Sequence, residues 1–176
     1  ISSAILMASV RAFLRQRADL PGNLSRMLSD VNRQLVVDVE DSCNFMTLFY
    51  LRIDPVKGNM QWIRAGHDPA ILYNPFSDRF SEMHGKSPVL GVDARAEFEE
   101  NEKTGLIPGH IVVLATDGVW EARNKDGDMF GKKPLYQIIR QNKDAEADDI
   151  LGMCFQSLEE FQTGAVREDD ITMVVI

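Results

Sequence analysis

Residues 45–65 read FMTLFYLRIDPVKGNMQWIRA. Two apolar, aromatic and β-branched runs, Phe45–Ile53 and Met60–Ala65, flank a turn carrying Pro55, Gly58 and Asn59. Proline presets φ and glycine tolerates positive φ, so the stretch predicts a β-hairpin. Upstream the period is different. Leu24, Met27, Leu28, Val31 and Leu35 are spaced i, i+3, i+4, i+7, i+11, which is one face of an amphipathic helix. That helix is expected to start near Pro21, a residue suited to a first helical turn. Before it, Ser2–Gln16 is rich in Ala, Leu and Met without Gly or Pro, and predicts a mostly buried helix.

Downstream, Ala70–Tyr73 and Phe80–His84 predict a second hairpin around Asn74 and Pro75. Lys86–Val92 holds Pro and Gly and predicts a loop; Glu97–Glu102 predicts a polar strand. Ile111–Ala115 is continuously apolar, as in a strand buried on both faces. Asn124–Gly131 predicts a polar loop, Lys133–Gln141 and Asp148–Phe161 predict helices, and Ile171–Ile176 predicts a last strand. In the second of these helices Leu151, Cys154, Phe155 and Leu158 are the expected buried face. Helices, then antiparallel strands, then helices and a strand make an α+β fold, not an alternating parallel one.

The 176 residues suit one domain, and 44% hydrophobic residues make it globular. Lys and Arg number 19 against 27 Asp and Glu, a net charge of −8. That balance argues against a nucleic-acid groove or a polybasic membrane patch, and no apolar run approaches the roughly 20 residues of a membrane span. Cys43 and Cys154 have no metal-type spacing and read as free thiols of a cytoplasmic protein. The segment 124–128 hints at a calcium loop, but Met129 and Leu135 stand where Gly and Glu are needed. P-loop, dinucleotide, zinc-protease and nucleophile-elbow motifs are absent.

Two acidic clusters carry the chemistry. Thr116-Asp117-Gly118 follows directly on the apolar run 111–115, where a buried strand can deliver a carboxylate to a sheet edge. Taken alone, Asp117 is equally a turn residue capping the next helical turn. Glu168-Asp169-Asp170 immediately precedes the last strand. Adjacent carboxylates are tolerated when solvated or when a cation neutralises them, and a solvated turn is the plainer reading of that cluster alone. If the two clusters meet, their oxygen-only ligands favour Mg²⁺ or Mn²⁺ over zinc. Gly66-His67 reads more readily as a turn than as a catalytic pair.

Taken in order, Phe45–Tyr50, Ala65-Gly66-His67-Asp68-Pro69-Ala70, Leu90-Gly91-Val92, Leu114–Val119, Phe130-Gly131 and Asp169-Asp170-Ile171-Thr172 resemble the bacterial branch of the protein phosphatase 2C family. These are serine phosphatases of the sporulation stage II and sigma-factor regulatory type, and the resemblance runs over residues 1–176 as a single domain. It implies an α-β-β-α sandwich of two antiparallel sheets flanked by helices. It also implies two Mn²⁺ or Mg²⁺ ions that activate water against phosphoserine or phosphothreonine, with no catalytic residue beyond the metal ligands. Asp117 and Asp169 match the family's metal aspartates, Asp170 stands beside them as helper or alternative ligand, and Gly118, Gly66 and His67 match supporting positions.

The resemblance further implies a bacterial, cytoplasmic signalling protein and a phosphorylated protein substrate, an anti-sigma-factor antagonist. It implies an upstream sensor or receiver domain. The helices at 1–16 and 21–37 resemble the family's regulatory pair, and a homodimer through them is an arrangement the exposed apolar surface of a cut chain would allow. The family's Gly-Asp-x-x-Gly-His-Gly motif, whose Asp bridges both ions, precedes the first helix and has no counterpart here, since the chain begins at Ile1. The expectation is therefore an N-terminally incomplete domain lacking its first strands, with weak metal binding and little turnover of its own. Two alternatives stay open: a catalytically inactive relative that serves as a binding or regulatory module, and a phosphohydrolase of small molecules.

Overall fold

The computed structural model describes residues 3–18, 22–40, 44–165 and 169–176. Its elements are α1 (Ser3–Ala18), α2 (Leu24–Val39), β1 (Leu48–Asp54), β2 (Asn59–Ala65), β3 (Ala70–Asn74), β4 (Arg79–Met83), β5 (Asn101–Thr104), β6 (Ile111–Ala115), α3 (Lys133–Gln141), α4 (Ala147–Phe161) and β7 (Met173–Val175). The expected α+β class is what is found: helices with two antiparallel sheets, one ordered β1-β2-β5 and the other β4-β3-β6-β7. The chain divides into two compact units, residues 1–67 with 84–106, and residues 68–83 with 107–176.

In the first unit, β1 and β2 pair antiparallel from Leu48↔Ala65 to Asp54↔Asn59. The connecting turn is tied by its own acid, because Asp54 Oδ1 accepts from the backbone N–H groups of Val56 and Lys57 at 3.1 and 3.0 Å. α2 starts one turn later than Pro21 suggested, capped by Asn23, whose side chain accepts from Arg26 N at 2.9 Å. The apolar face read from its spacing is buried throughout: Leu24, Met27, Leu28, Val31 and Leu35 join Ile63, Ala65, Leu90 and Phe98 in one core.

Asn32 lies fully buried on the same helix face. Its Nδ2 donates to Asp93 O at 2.7 Å and its Oδ1 accepts from Gly91 N at 2.9 Å. Both ends of the amide are thus used to fasten the 90–93 loop to the helix.

Two expectations need correction in this unit. α1 is buried on one side only, at Leu6 and Val10, while Ile5 and Met7 are each 60% exposed. An Ala/Leu/Met-rich helix has too weak an amphipathic period to tell the two cases apart. The polar strand expected at 97–102 is β5 instead, pairing Asn59–Trp62 with Asn101–Thr104. Phe98 turns into the core before the strand begins, and an exposed edge strand of Asn, Glu, Lys and Thr carries no period-2 apolar signal. The 86–92 loop is tied to neighbouring chain by bridges Ala65↔Ser87 and Met46↔Leu90.

In the second unit, β3 and β4 form the expected second hairpin, from Ala70↔Met83 to Asn74↔Arg79. Asn74 Oδ1 organises its turn by accepting from Phe76 N and Ser77 N at 2.9 and 3.2 Å. β6 runs between β3 and β7 and is buried at Ile111, Val112, Val113 and Ala115. α3 and α4 bury Leu135, Ile139, Ile150 and Cys154 against residues of this sheet. On α4 the fully buried line is Ile150, Cys154 and Leu158, with Leu151 and Phe155 half-buried, one position round from the expected stripe. Among the described residues no helix is long and apolar enough to cross a membrane. Cys154 is a free, buried thiol, and Cys43 lies outside the described residues.

Candidate metal edge

The pairing of β6 with β7 decides where the acids go. The ladder runs Val113↔Val175, Leu114↔Val174, Ala115↔Met173. It continues one step further, with Thr116 N donating to Thr172 O at 3.0 Å and Thr116 Oγ1 accepting from Thr172 N at 3.1 Å. Beyond this step the two chains reach Asp117-Gly118 on one side and Asp170-Asp169 on the other. The turn after β6 closes tightly: Val119 N donates to Thr116 O at 3.1 Å and Glu121 N to Asp117 O at 2.9 Å.

Gly118 is the contact point. A Cβ at this position would lie 2.5 Å from the carbonyl oxygen of Asp170. Glycine is needed here for space, so that one backbone can lie against the other. The sequence placed Asp117 and Asp169-Asp170 at two strand ends; the structure brings those ends together at one edge of the second unit's sheet. Glu168 lies outside the described residues.

All three aspartates are exposed. Asp117 Oδ1 accepts from Gly118 N at 3.0 Å, and Asp169 Oδ1 accepts from Asp170 N at 2.8 Å. Each bond holds its carboxylate against its own turn and occupies one oxygen. Like charges on neighbouring turns repel unless a cation stands between them. Among the described residues no three His, Cys, Asp or Glu side chains come together as a ready-made metal-binding group. The donor set is all oxygen and incomplete. That fits a hard divalent ion such as Mg²⁺, which keeps several waters and takes only one or two carboxylates.

Gly66 and His67 lie in the first unit, at the end of β2. Gly66 has φ +70°, and a Cβ there would lie 2.3 Å from Val89 Cγ1, so both backbone angle and space exclude a side chain. Arg64 Nη1 donates to the His67 carbonyl at 2.6 Å and Arg64 Nε to Gly85 O at 3.0 Å. The motif is a pinned turn.

Sequence reasoning missed the residues just after Asp117. Phe130 N donates to Ala122 O at 2.8 Å and Gly131 N to Trp120 O at 2.9 Å, closing 120–131 into a hairpin bridged at Arg123↔Met129. Its tip is built on Asn124, whose Oδ1 accepts from Asp126 N and Asp128 N at 3.0 and 2.9 Å. Between this hairpin and the acidic edge lies a cleft of about 300 Å³, lined by Gly118, Glu121, Arg123, Met129, Gln162 and Asp169. Neither Glu121 nor Arg123 stands in any periodic pattern; only their nearness to Asp117 could have drawn attention to them.

The profile of the Stage II sporulation protein E (SpoIIE) family matches residues 1–176. The chain belongs to that family. Among curated relatives it is similar to RsbU of Bacillus subtilis (strain 168), named a phosphoserine phosphatase, at 26% identity over 177 residues, covering 100% of this chain and 51% of RsbU. The chain thus spans about half the length of that relative. Among solved structures it is similar to the SiaA-PP2C domain of Pseudomonas aeruginosa, with a TM-score of 0.82 at 17% identity over 98% of this chain and 69% of that one. It is also similar to the phosphatase domain of the cell-fate determinant SpoIIE from Bacillus subtilis, presoaked with Mn, with a TM-score of 0.63 at 16% identity over 100% of this chain and 72% of that one. These likenesses place the SpoIIE-family chain in the protein phosphatase 2C fold.

Proposed function

We propose that this SpoIIE-family chain is the catalytic part of a divalent-metal-dependent protein serine phosphatase, with Asp117, Asp169 and Asp170 as metal ligands. One observation carries the reading: Gly118 lies against the Asp170 carbonyl and so joins two acidic turns at one sheet edge. Family membership, and the name of RsbU as a phosphoserine phosphatase, support the choice of reaction. Mn²⁺ or Mg²⁺ suits the oxygen donors, and the manganese soak of the SpoIIE phosphatase domain supports the first.

When bound, two such ions supply a water of lowered pKa and offset charge on the phosphoryl oxygens. The chain's own part is positioning. β6, buried at both faces, holds Asp117 on a rigid strand end, and the Thr116–Thr172 bonds hold the facing acidic turn in register with it. Gly66 and His67 keep a supporting role as a fixed turn. Both units belong to one phosphatase domain in this reading, since the family match runs through both. The substrate is a phosphoserine on a bacterial, cytoplasmic regulatory protein of the anti-sigma-factor-antagonist kind. A sensor or receiver domain upstream and a homodimer through α1 and α2 belong to the same proposal.

A second reading is a relative that binds partners without hydrolysis. Phosphate release from a serine-phosphorylated protein by the full-length protein, with and without Mn²⁺, separates the two. The expected result is Mn²⁺-dependent release that Asp117→Asn abolishes. Wild-type rates in Asp117→Asn would refute the ligand assignment, and no release from a folded protein at any Mn²⁺ concentration would favour the binding module.

A further inference from the structure

Arg123 lies on the wall of the cleft beside the proposed metal edge, with the acidic residues Glu121 and Asp169 on the same lining. Yet among the described residues Arg123 joins neither in an ion pair; its bond is from Nη1 to the Gly127 carbonyl, at 2.7 Å. A guanidinium has five N–H donors in a fixed fork, so this bond leaves a donor edge for something else. The same bond, with the Asn124 turn, ties the side chain to a closed hairpin. An arginine braced by a carbonyl, beside carboxylates it does not neutralise, is arranged to receive an oxyanion from outside. The volume agrees: about 300 Å³ is about ten times the roughly 30 Å³ share of one water, and admits a phosphoryl group with part of the chain that carries it.

We propose that Arg123 binds an oxyanion of the phosphoprotein substrate in the cleft formed by the 120–131 hairpin, Gly118, Asp169 and Gln162. The inference rests on the phosphatase reading above for the nature of that substrate. The oxyanion has two sources: the phosphoryl group itself, or a carboxylate next to the phosphoserine. Arg123 then contributes to substrate binding beside the metal ligands, and the hairpin supplies the second wall of the site. Exposed Met129 offers the apolar contact for the residue carried alongside.

The test compares the wild-type full-length protein with Arg123→Gln and Arg123→Lys, using p-nitrophenyl phosphate and serine-phosphorylated casein with Mn²⁺. Arg123→Gln removes the charge and is too short to keep the Gly127 bond, so Tm is measured beside KM: a raised KM at wild-type Tm separates substrate binding from a purely structural role. The expected result is a rise in KM of at least about tenfold, the scale of one lost charge-assisted pair, with Arg123→Lys intermediate. A rise for both substrates assigns the oxyanion to the phosphoryl group. A rise for casein alone assigns it to a neighbouring carboxylate. Unchanged KM for both overturns the proposal. If the wild type turns over neither substrate, the phosphatase reading is what has failed. Calorimetric titration with inorganic phosphate then decides for Arg123: at least about tenfold weaker binding in Arg123→Gln supports it, and equal binding refutes it.

Discussion

Gly118→Ala tests the geometry on which the proposed metal edge depends. The added Cβ would stand 2.5 Å from the Asp170 carbonyl oxygen, with the Asp170 carbonyl carbon next at 3.4 Å and Ile171 Cγ1 at 3.5 Å. Close carbon–oxygen contacts in proteins lie at about 3.3–3.6 Å, so one backbone must retreat by roughly 0.8 Å. The obstacle is a main-chain oxygen, and no rotamer change relieves it. Forcing one methyl group into a packed site costs about 1–3 kcal/mol. For a chain of this size each kcal/mol lowers Tm by roughly 2–4 °C. The functional loss should be larger than the stability loss, because Asp170 and Asp169 move with the displaced carbonyl. Misplacement of a reacting constellation by about 1 Å costs on the order of 10²-fold in rate.

The assay pairs thermal denaturation with Mn²⁺-dependent p-nitrophenyl phosphate hydrolysis by the full-length protein. Gly152→Ala serves as the control: Gly152 is exposed on α4 and nothing lies within 4 Å of its added Cβ. There the same substitution should stabilise by about 0.8–1 kcal/mol, through helix propensity alone. A Gly118→Ala protein with wild-type Tm and wild-type turnover would refute the close backbone contact and the reasoning built on it.

Three further outcomes concern other parts of the molecule. Asn32→Ala strips the buried partners from Gly91 N and Asp93 O and should cost roughly 1–3 kcal/mol in urea unfolding; a change below a few tenths would mean that water replaces the amide. Burial pushes the Cys154 thiol up to about 11, so in a Cys43→Ser background Ellman's reagent at pH 8 should label the protein only as fast as it opens, and rapid stoichiometric labelling would contradict that packing. The Arg140 guanidinium, 2.6 Å from Asp78 Oδ1, holds the Asp78 carboxyl below its ordinary value. A depressed carboxylate stabilises the fold above its unfolded pKa of about 3.9 and loses that contribution as pH falls through the folded value. Asp78→Asn should therefore lower Tm at neutral pH, with the gap to wild type closing below about pH 4, and a gap constant with pH would dismiss the ion pair as its cause.

The parts of the fold legible in the sequence are those with a short-range cause. The stripe Leu24, Met27, Leu28, Val31, Leu35 is the buried face of α2 because a 3.6-residue period leaves an amphipathic helix one way to hide it. The turns at Pro55–Asn59 and Asn74-Pro75 close where expected, because Asp54 and Asn74 hydrogen-bond the backbone two and three residues on. β5 departs from its expected place because an exposed edge strand needs only a neighbour to pair with, and Trp62–Asn59 supplies it. α1 is less deeply buried than expected because its composition, unlike its period, looks like core.

The site divides along the same line. Asp117 and Asp169-Asp170 can be named as candidates from the sequence alone, since acids at the ends of apolar strands stand out against the local pattern. That the two turns meet requires the pairing of Thr116 with Thr172, 56 residues later in the chain, and a ladder register has no local signature. Gly118 can be noticed as a glycine, but its necessity becomes visible only with the Asp170 carbonyl against it. Arg123 carries no signal at all: its meaning comes from a hairpin that brings it back to the acidic edge without an ion pair to any described acid. Periodicity and turn chemistry are properties of neighbouring residues, whereas a site is a coincidence in space of residues far apart along the chain, and only the packed structure decides which of them meet.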